Sequence, residues 1–240
     1  PDATLFRPGS ISKLFTWTAV MQLVEQGKIN LDADVNTYID FQIPAYQGQP
    51  ITMRQIMTHT AGFQEVIRNL IIDDPERAPP LGEYLRENMP ARIHAPGTMP
   101  AYSNYATALA GYIVARVSGE NFEDYIKNHI FDPLGMTHST FVQPLPEGVG
   151  SLSAGYRNLR DGEPQLFEII PAGPAGALSL TGADMARFMN AHLNDGAGLM
   201  RPETARMMHD FVDQQFPGVN SMALGFYHEN LNGHRIIGHG

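Results

Sequence analysis

Ser10 and Lys13 stand three residues apart at the head of an apolar run, Ser10-Ile11-Ser12-Lys13-Leu14-Phe15. On a helix, residues three apart share a face with Cβ atoms about 5–6 Å apart, so the Lys13 amine reaches the Ser10 hydroxyl. A serine hydroxyl is a weak nucleophile until a base takes its proton. A buried lysine among apolar neighbours can lose its charge and serve as that base. A helix N-terminus adds a positive field at the forming alkoxide, worth roughly 0.3–1 kcal/mol. A bare Ser-x-x-Lys is short, and a capping serine followed by a surface lysine would produce it as well. Lysine usage separates the two: the chain has Lys13, Lys28 and Lys127 and no others. Lys28 follows a helix stop at Gly27 and Lys127 sits on an amphipathic helix, both solvated positions. Lys13 alone lies one turn beyond a helix-opening serine.

Two further groups belong with this pair. Tyr102-Ser103-Asn104 stands just before a strong helical pattern. A tyrosine hydroxyl can shuttle a proton if a nearby cation lowers its pKa. An Asn amide has donors and an acceptor, so it can hold a lysine and a substrate carbonyl together. Tyr156-Arg157-Asn158 has the same Tyr-x-Asn spacing and reads as loop packing. Gly238-His239-Gly240 lies on a β-like run, where glycines let a substrate backbone approach closely. His59 reads as a hydrogen-bonded packing residue.

The elements that must position these groups follow from periodicity. Residues 10–27 read as a helix, with Leu14, Trp17, Val20, Met21 and Val24 at helical spacing, Pro8-Gly9 as the turn before it and Ser10 as its cap. Short helices are expected at 52–58 and twice within 64–100. Longer ones are expected at 104–117, ended by Gly119, and at 121–130, stopped by Pro133. Residues 137–180 read as irregular, with a strand candidate at Leu166–Ile170. Helices follow from a Thr181 cap and from Pro202. Ala223–Tyr227 and Arg235–His239 read as strands joined by a turn at Asn230–Gly233.

Bulk properties bound the function. At 240 residues the chain suits one domain or two closely joined lobes. With 43% hydrophobic and 17% charged residues it is an ordinary globular composition. A net charge of −9 with dispersed Lys and Arg gives no basic stripe, so no nucleic-acid partner is expected. No apolar run is long enough for a membrane span. The absence of cysteine excludes disulfides, thiol nucleophiles and Cys-ligated zinc. No His-Glu-x-x-His or close histidine pair and no Gly-x-Ser-x-Gly occurs, which argues against a zinc hydrolase and an α/β-hydrolase. No metal and no cofactor are expected.

Taken in order, these segments resemble a known family. Phe6-Arg7-Pro8-Gly9-Ser10-Ile11-Ser12-Lys13, Tyr102-Ser103-Asn104 and His239-Gly240 resemble the three motifs of the class C β-lactamase-like serine hydrolases, within the β-lactamase and penicillin-binding-protein superfamily. Met57-Thr58-His59-Thr60-Ala61-Gly62-Phe63, Pro133-Leu134-Gly135-Met136 and Gly176-Ala177-Leu178-Ser179 extend the resemblance over most of the chain. Tyr102-Ser103-Asn104 in place of Ser-Asp-Asn favours the class C-like branch over class A.

The resemblance implies a single catalytic domain of helix-rich α+β, β-lactamase/transpeptidase-like fold, with part of the antiparallel sheet lying outside both ends of this segment. It implies that Ser10 is acylated, that Lys13 and Tyr102 handle its proton, and that Asn104, His239 and Gly240 bind substrate. The Ser10 N–H would form half of an oxyanion hole, with the other half after Gly240. The substrate would be a small molecule or peptide-like compound with an ester, amide or β-lactam bond, met outside the cytoplasm. The alternative is a binding or regulatory protein that keeps the fold without turnover.

Overall fold

The structure, a computed structural model, describes residues 2–156, 160, 162–212 and 221–240. The N-terminal strand β1 (Thr4–Leu5) leads through a 3₁₀ turn, Gly9–Ile11, into helix α1 (Ser12–Glu25). Helices α2 (Met53–Met57), α3 (Leu81–Glu87) and α4 (Asn104–Ser118) follow, then α5 (Phe122–Ile126), a π turn at Lys127–Phe131, and α6 (Asp132–Leu134). Short strands β2 (Ser139–Thr140), β3 (Ser151–Leu152) and β4 (Ser179–Leu180) precede α7 (Gly182–Leu193) and α8 (Pro202–Asp210). Strands β5 (Ser221–Met222), β6 (Tyr227–Leu231) and β7 (His234–Gly238) close the chain. Among the described residues, β1 pairs with β3, β2 with β4, and β5-β6-β7 form an antiparallel sheet. The α+β, helix-rich class is as expected.

Helix α1 is the centre of the molecule. The pattern picked out one apolar stripe, yet every residue from Ser12 to Leu23 is buried. A helix apolar on most of its surface is one enclosed on all sides. It packs on α4, whose Ala106, Ala108, Ala110 and Gly111 face the interior with little bulk. A Cβ at Gly111 would lie 2.3 Å from Pro174 Cγ, so only glycine lets the Gly173–Ala175 turn seat against α4.

Four expectations need correction. Pro133 does not stop the third helix. The chain passes through a π turn and ends at Gly135, which is left-handed at φ 64°. Pro133 has no N–H for the carbonyl of His129, and the buried Gln22 amide donates to that carbonyl instead, at 2.9 Å. Leu166–Ile170 is not a strand: Leu166 is 81% exposed and only Ile169 pairs, in an isolated bridge to Ile72. Ala223–Phe226 is a buried turn between β5 and β6, and the strand starts at Tyr227. Gly225 forces this, because at φ 90° its Cα presses on Trp17, where a Cβ would lie 2.2 Å from the indole. Finally, Ser10 does not cap α1. It sits inside the 3₁₀ turn and Ile11 precedes the helix without a side-chain cap, so the Ser10 hydroxyl is left for other partners.

The β6–β7 hairpin turns at Asn232-Gly233, with φ of 52° and 81°. Two central residues with positive φ make the turn whose twist matches paired strands. Its register, Leu231 opposite His234 through Tyr227 opposite Gly238, delivers His239 to the mouth of the site.

Candidate active site

Ser10 Oγ receives two hydrogen bonds. Lys13 Nζ lies 3.0 Å away and the Tyr102 hydroxyl donates at 2.8 Å. The one-turn offset along the helix start provides the first, as the spacing anticipates. The second crosses 92 residues of sequence.

Lys13 is fully buried, whereas Lys28 is exposed and Lys127 pairs with Asp132 on the surface. Its amine also donates to Asn104 Oδ1 and to the carbonyl of Ala175, both at 2.7 Å. Removal from water disfavours the ammonium form and brings its pKa from 10.5 down to about 7, with the negative charge of Glu65 pulling the other way. Tyr102 moves in the opposite sense. Burial pushes it up to about 12, against the lowering hydrogen bond to Ser10. The condition that a cation lower the Tyr102 pKa is therefore not met: burial dominates, and the charges of Tyr227 and Glu65 raise it further. Near neutral pH the Tyr102 phenol is protonated, while Lys13 lies close to its own pKa.

Tyr102, Ser103 and Asn104 act as one unit. Ser103 is extended (φ −143°, ψ 116°) and its hydroxyl accepts from Ala106 N–H, capping α4. The alternation of an extended chain then sets its neighbours' directions. His59, the packing residue of the sequence analysis, is fully enclosed. Its Nδ1 accepts the Ser103 N–H at 3.2 Å, and its ring lies 4.6 Å from that of Tyr102. Burial holds its pKa down at about 3, so it stays neutral.

His239 stacks on Tyr227 at 4.8 Å, and its ring centre is 6.2 Å from that of Tyr102. Its Nδ1–H donates to the Gly240 carbonyl. Burial lowers its pKa to about 4. Of the six residues expected at the site, Ser10, Lys13, Tyr102 and Asn104 are joined by hydrogen bonds, His239 stands beside Tyr102, and Gly240 follows His239 in the chain. The copy at Tyr156-Arg157-Asn158 lies partly outside the described residues, and Tyr156 is 49% exposed. Two clefts include the residues on either side of Ser10 in their linings, though not Ser10 itself. One, of about 300 Å³, is mainly apolar and is lined by Ile11, Met185, Phe188, Ile237 and His239. The other, of about 450 Å³, is lined in part by Gly9 and by Arg7, whose guanidinium lies over Phe167.

Two contributors have no motif to announce them. Ala175 offers only its carbonyl, and Gly176–Ser179 was recognisable merely as a landmark. Glu65 reaches Asn104 twice, with Oε1 accepting from Nδ2 at 2.7 Å and Oε2 from the backbone N–H at 3.1 Å. Among the described residues no group of three or more His, Asp or Glu is arranged to hold a metal, and no helix is long and apolar enough to cross a membrane.

A serine–lysine–tyrosine network around a buried lysine at the start of a central helix, in a helix-rich α+β fold, defines the class of protein. The chain belongs to the beta-lactamase family, whose sequence pattern it matches over residues 1–240, and within it to the class C-like serine hydrolases and penicillin-binding proteins. It is 31% identical over 242 residues to a putative penicillin-binding protein, PbpX, of Bacillus subtilis (strain 168), covering 93% of this chain and 54% of that protein. It is 33% identical to a beta-lactamase of Yersinia enterocolitica over 195 residues, 80% of this chain and 47% of that protein. The structure of the octameric penicillin-binding protein homologue from Pyrococcus abyssi superposes with a TM-score of 0.84 at 27% identity, over 99% of this chain and 56% of that one. The chain spans about half the length of the curated relatives it matches.

Proposed function

We propose that this protein is a serine hydrolase that cleaves an ester, amide or β-lactam bond through an acyl-enzyme on Ser10. The observation that carries the reading is the Ser10 hydroxyl held between a buried amine of pKa about 7 and a protonated phenol. Neutral Lys13 takes the Ser10 proton as Oγ bonds to the substrate carbonyl carbon. The Tyr102 O–H then supplies a proton to the leaving oxygen or nitrogen as its bond to that carbon breaks. Water enters in the second half-reaction, losing a proton to the Tyr102 phenolate, and the acid leaves as Ser10 regains the proton held by Lys13. Asn104 fixes the amine, and with His239 and Gly240 it lines the place of the substrate. The substrate is small or peptide-like, its acyl group flanked by the two clefts beside Ser10.

Incubation with a fluorophosphonate or penicillin-type probe, followed by peptide mass spectrometry, tests this. A single adduct on Ser10, absent in Ser10→Ala, is expected. No adduct would favour a binding protein of the same fold, and an adduct elsewhere would overturn the assignment.

A further inference from the structure

Glu65 stands on an exposed loop 39 residues before Asn104, outside every motif, yet both of its carboxylate oxygens are spent on that one residue. A primary amide has one end that donates and one that accepts, and its two orientations are nearly equal in shape. A carboxylate accepts only. With Nδ2 held by Glu65 at 2.7 Å, Oδ1 is turned to Lys13, also at 2.7 Å. The flipped amide would set two donors against each other at Lys13 and two acceptors at Glu65. The second Glu65 oxygen takes the backbone N–H of the first residue of α4, one of the donors a helix start leaves unpaired.

We propose that Glu65 is a positioning residue for the acylation of Ser10: it locks the Asn104 amide in the orientation that receives Lys13 and supplies the fixed charge of the nucleophile's hydrogen-bond network. This rests on the reading of Lys13 as the base. Lys13 is faced by Ser10 on its own helix, by Asn104 and the ring of Tyr102 from the α4 side, and by the Ala175 carbonyl from its turn. The Lys13 charge in turn helps lower the pKa values of His59 and His239, both of which burial holds neutral. Glu65 is the one carboxylate in this set, and its charge favours the ammonium form of Lys13. The clamp and the charge oppose each other usefully. The charge keeps Lys13 close to half protonated near pH 7, so the amine can both take and return a proton.

Glu65→Gln and Glu65→Asp separate the two contributions. Glu65→Gln keeps the size but places an amide donor against one of the two Asn104 donors and removes the charge. The rate of Ser10 acylation should fall about tenfold or more, as expected for a misoriented reacting group. Its acid limb should move to lower pH by about half a unit or more, since the charge that retained the Lys13 proton is gone. Glu65→Asp keeps the charge and cannot span both donors, so its rate should fall with little movement of the limb. An unchanged rate and limb in Glu65→Gln would overturn the inference. So would a rate loss with an unmoved limb and a lowered Tm, which is the signature of a purely structural cap. Labelling of Ser10 in the unmodified protein keeps the outcomes distinct. If Ser10 labels normally and Glu65→Gln behaves as wild type, only the role of Glu65 fails. If Ser10 does not label at all, the hydrolase reading fails first.

Discussion

Acidification should switch the nucleophile off by protonating Lys13, and the size of the effect follows from its burial. The amine is sealed from solvent and its pKa is about 7. If neutral Lys13 takes the Ser10 proton, the acylation rate follows the neutral fraction, roughly half at pH 7, a tenth at pH 6 and a hundredth at pH 5. An exposed lysine at its usual pKa would offer only about one part in a few thousand at pH 7. The same displacement couples to stability. The folded state binds fewer protons than the unfolded one between pH 7 and 10.5, so stability rises with pH across that window and is lower below it by about 5 kcal/mol. Lys13→Met removes this penalty while orphaning Asn104 Oδ1 and the Ala175 carbonyl, at about 1–3 kcal/mol each. The absolute change is therefore small, but its pH dependence is not. From pH 9 to pH 6, Lys13→Met should gain about 2–3 kcal/mol relative to wild type. The assay is acylation by a penicillin-type probe from pH 4.5 to 9, with urea unfolding of both proteins at pH 6 and 9. Lys13→Arg should be folded and inactive, since a guanidinium keeps its proton throughout. An acid limb with its midpoint below pH 5, or an active Lys13→Arg, would refute the base assignment.

Ser10→Ala should abolish turnover, by analogy with nucleophile removals that cost about 10⁶, and any residual covalent labelling would contradict the site. Tyr102→Phe should slow acylation by about 10²–10⁴ while leaving Tm nearly unchanged, because the ring still packs on His59; wild-type rates would remove the phenol from the proton path. Gly111→Ala should cost about 1–3 kcal/mol in urea unfolding, since its methyl would fall on Pro174 and displace the turn carrying the Ala175 carbonyl; a neutral effect would mean that turn is loosely held. His59 and His192, each held near pKa 3 by burial, stay neutral in the folded protein and charge when it unfolds. The share of stability carried by these two neutral rings should thus be complete above about pH 6.5 and fall as pH drops toward 3, by about 1.4 kcal/mol per pH unit for each. A urea midpoint unchanged from pH 7 to pH 5 would refute this.

Local chemistry was legible in the sequence because it acts over three or four residues. The Ser10–Lys13 offset is helix geometry, the Thr181 cap marks the start of α7, Gly119 is left-handed at the end of α4, and Asn232-Gly233 has the φ values its hairpin demands. The order of motifs along the chain was enough to state the family. The tertiary structure alone decided everything that joins distant segments. Lys13 meets the Ala175 carbonyl across 162 residues, and a backbone carbonyl has no residue type to flag it. Glu65 looks like any solvated loop acid until the fold brings Asn104 to it. His192 and His209 show no close spacing, yet they share a hydrogen bond of 3.0 Å between α7 and α8. The passage through Pro133 depended on Gln22 arriving to take the freed carbonyl, and the late start of β6 depended on Trp17 filling the space over Gly225. In each case the deciding interaction is between surfaces whose meeting no local period records, because burial is a property of what packs on a residue and not of the residue itself.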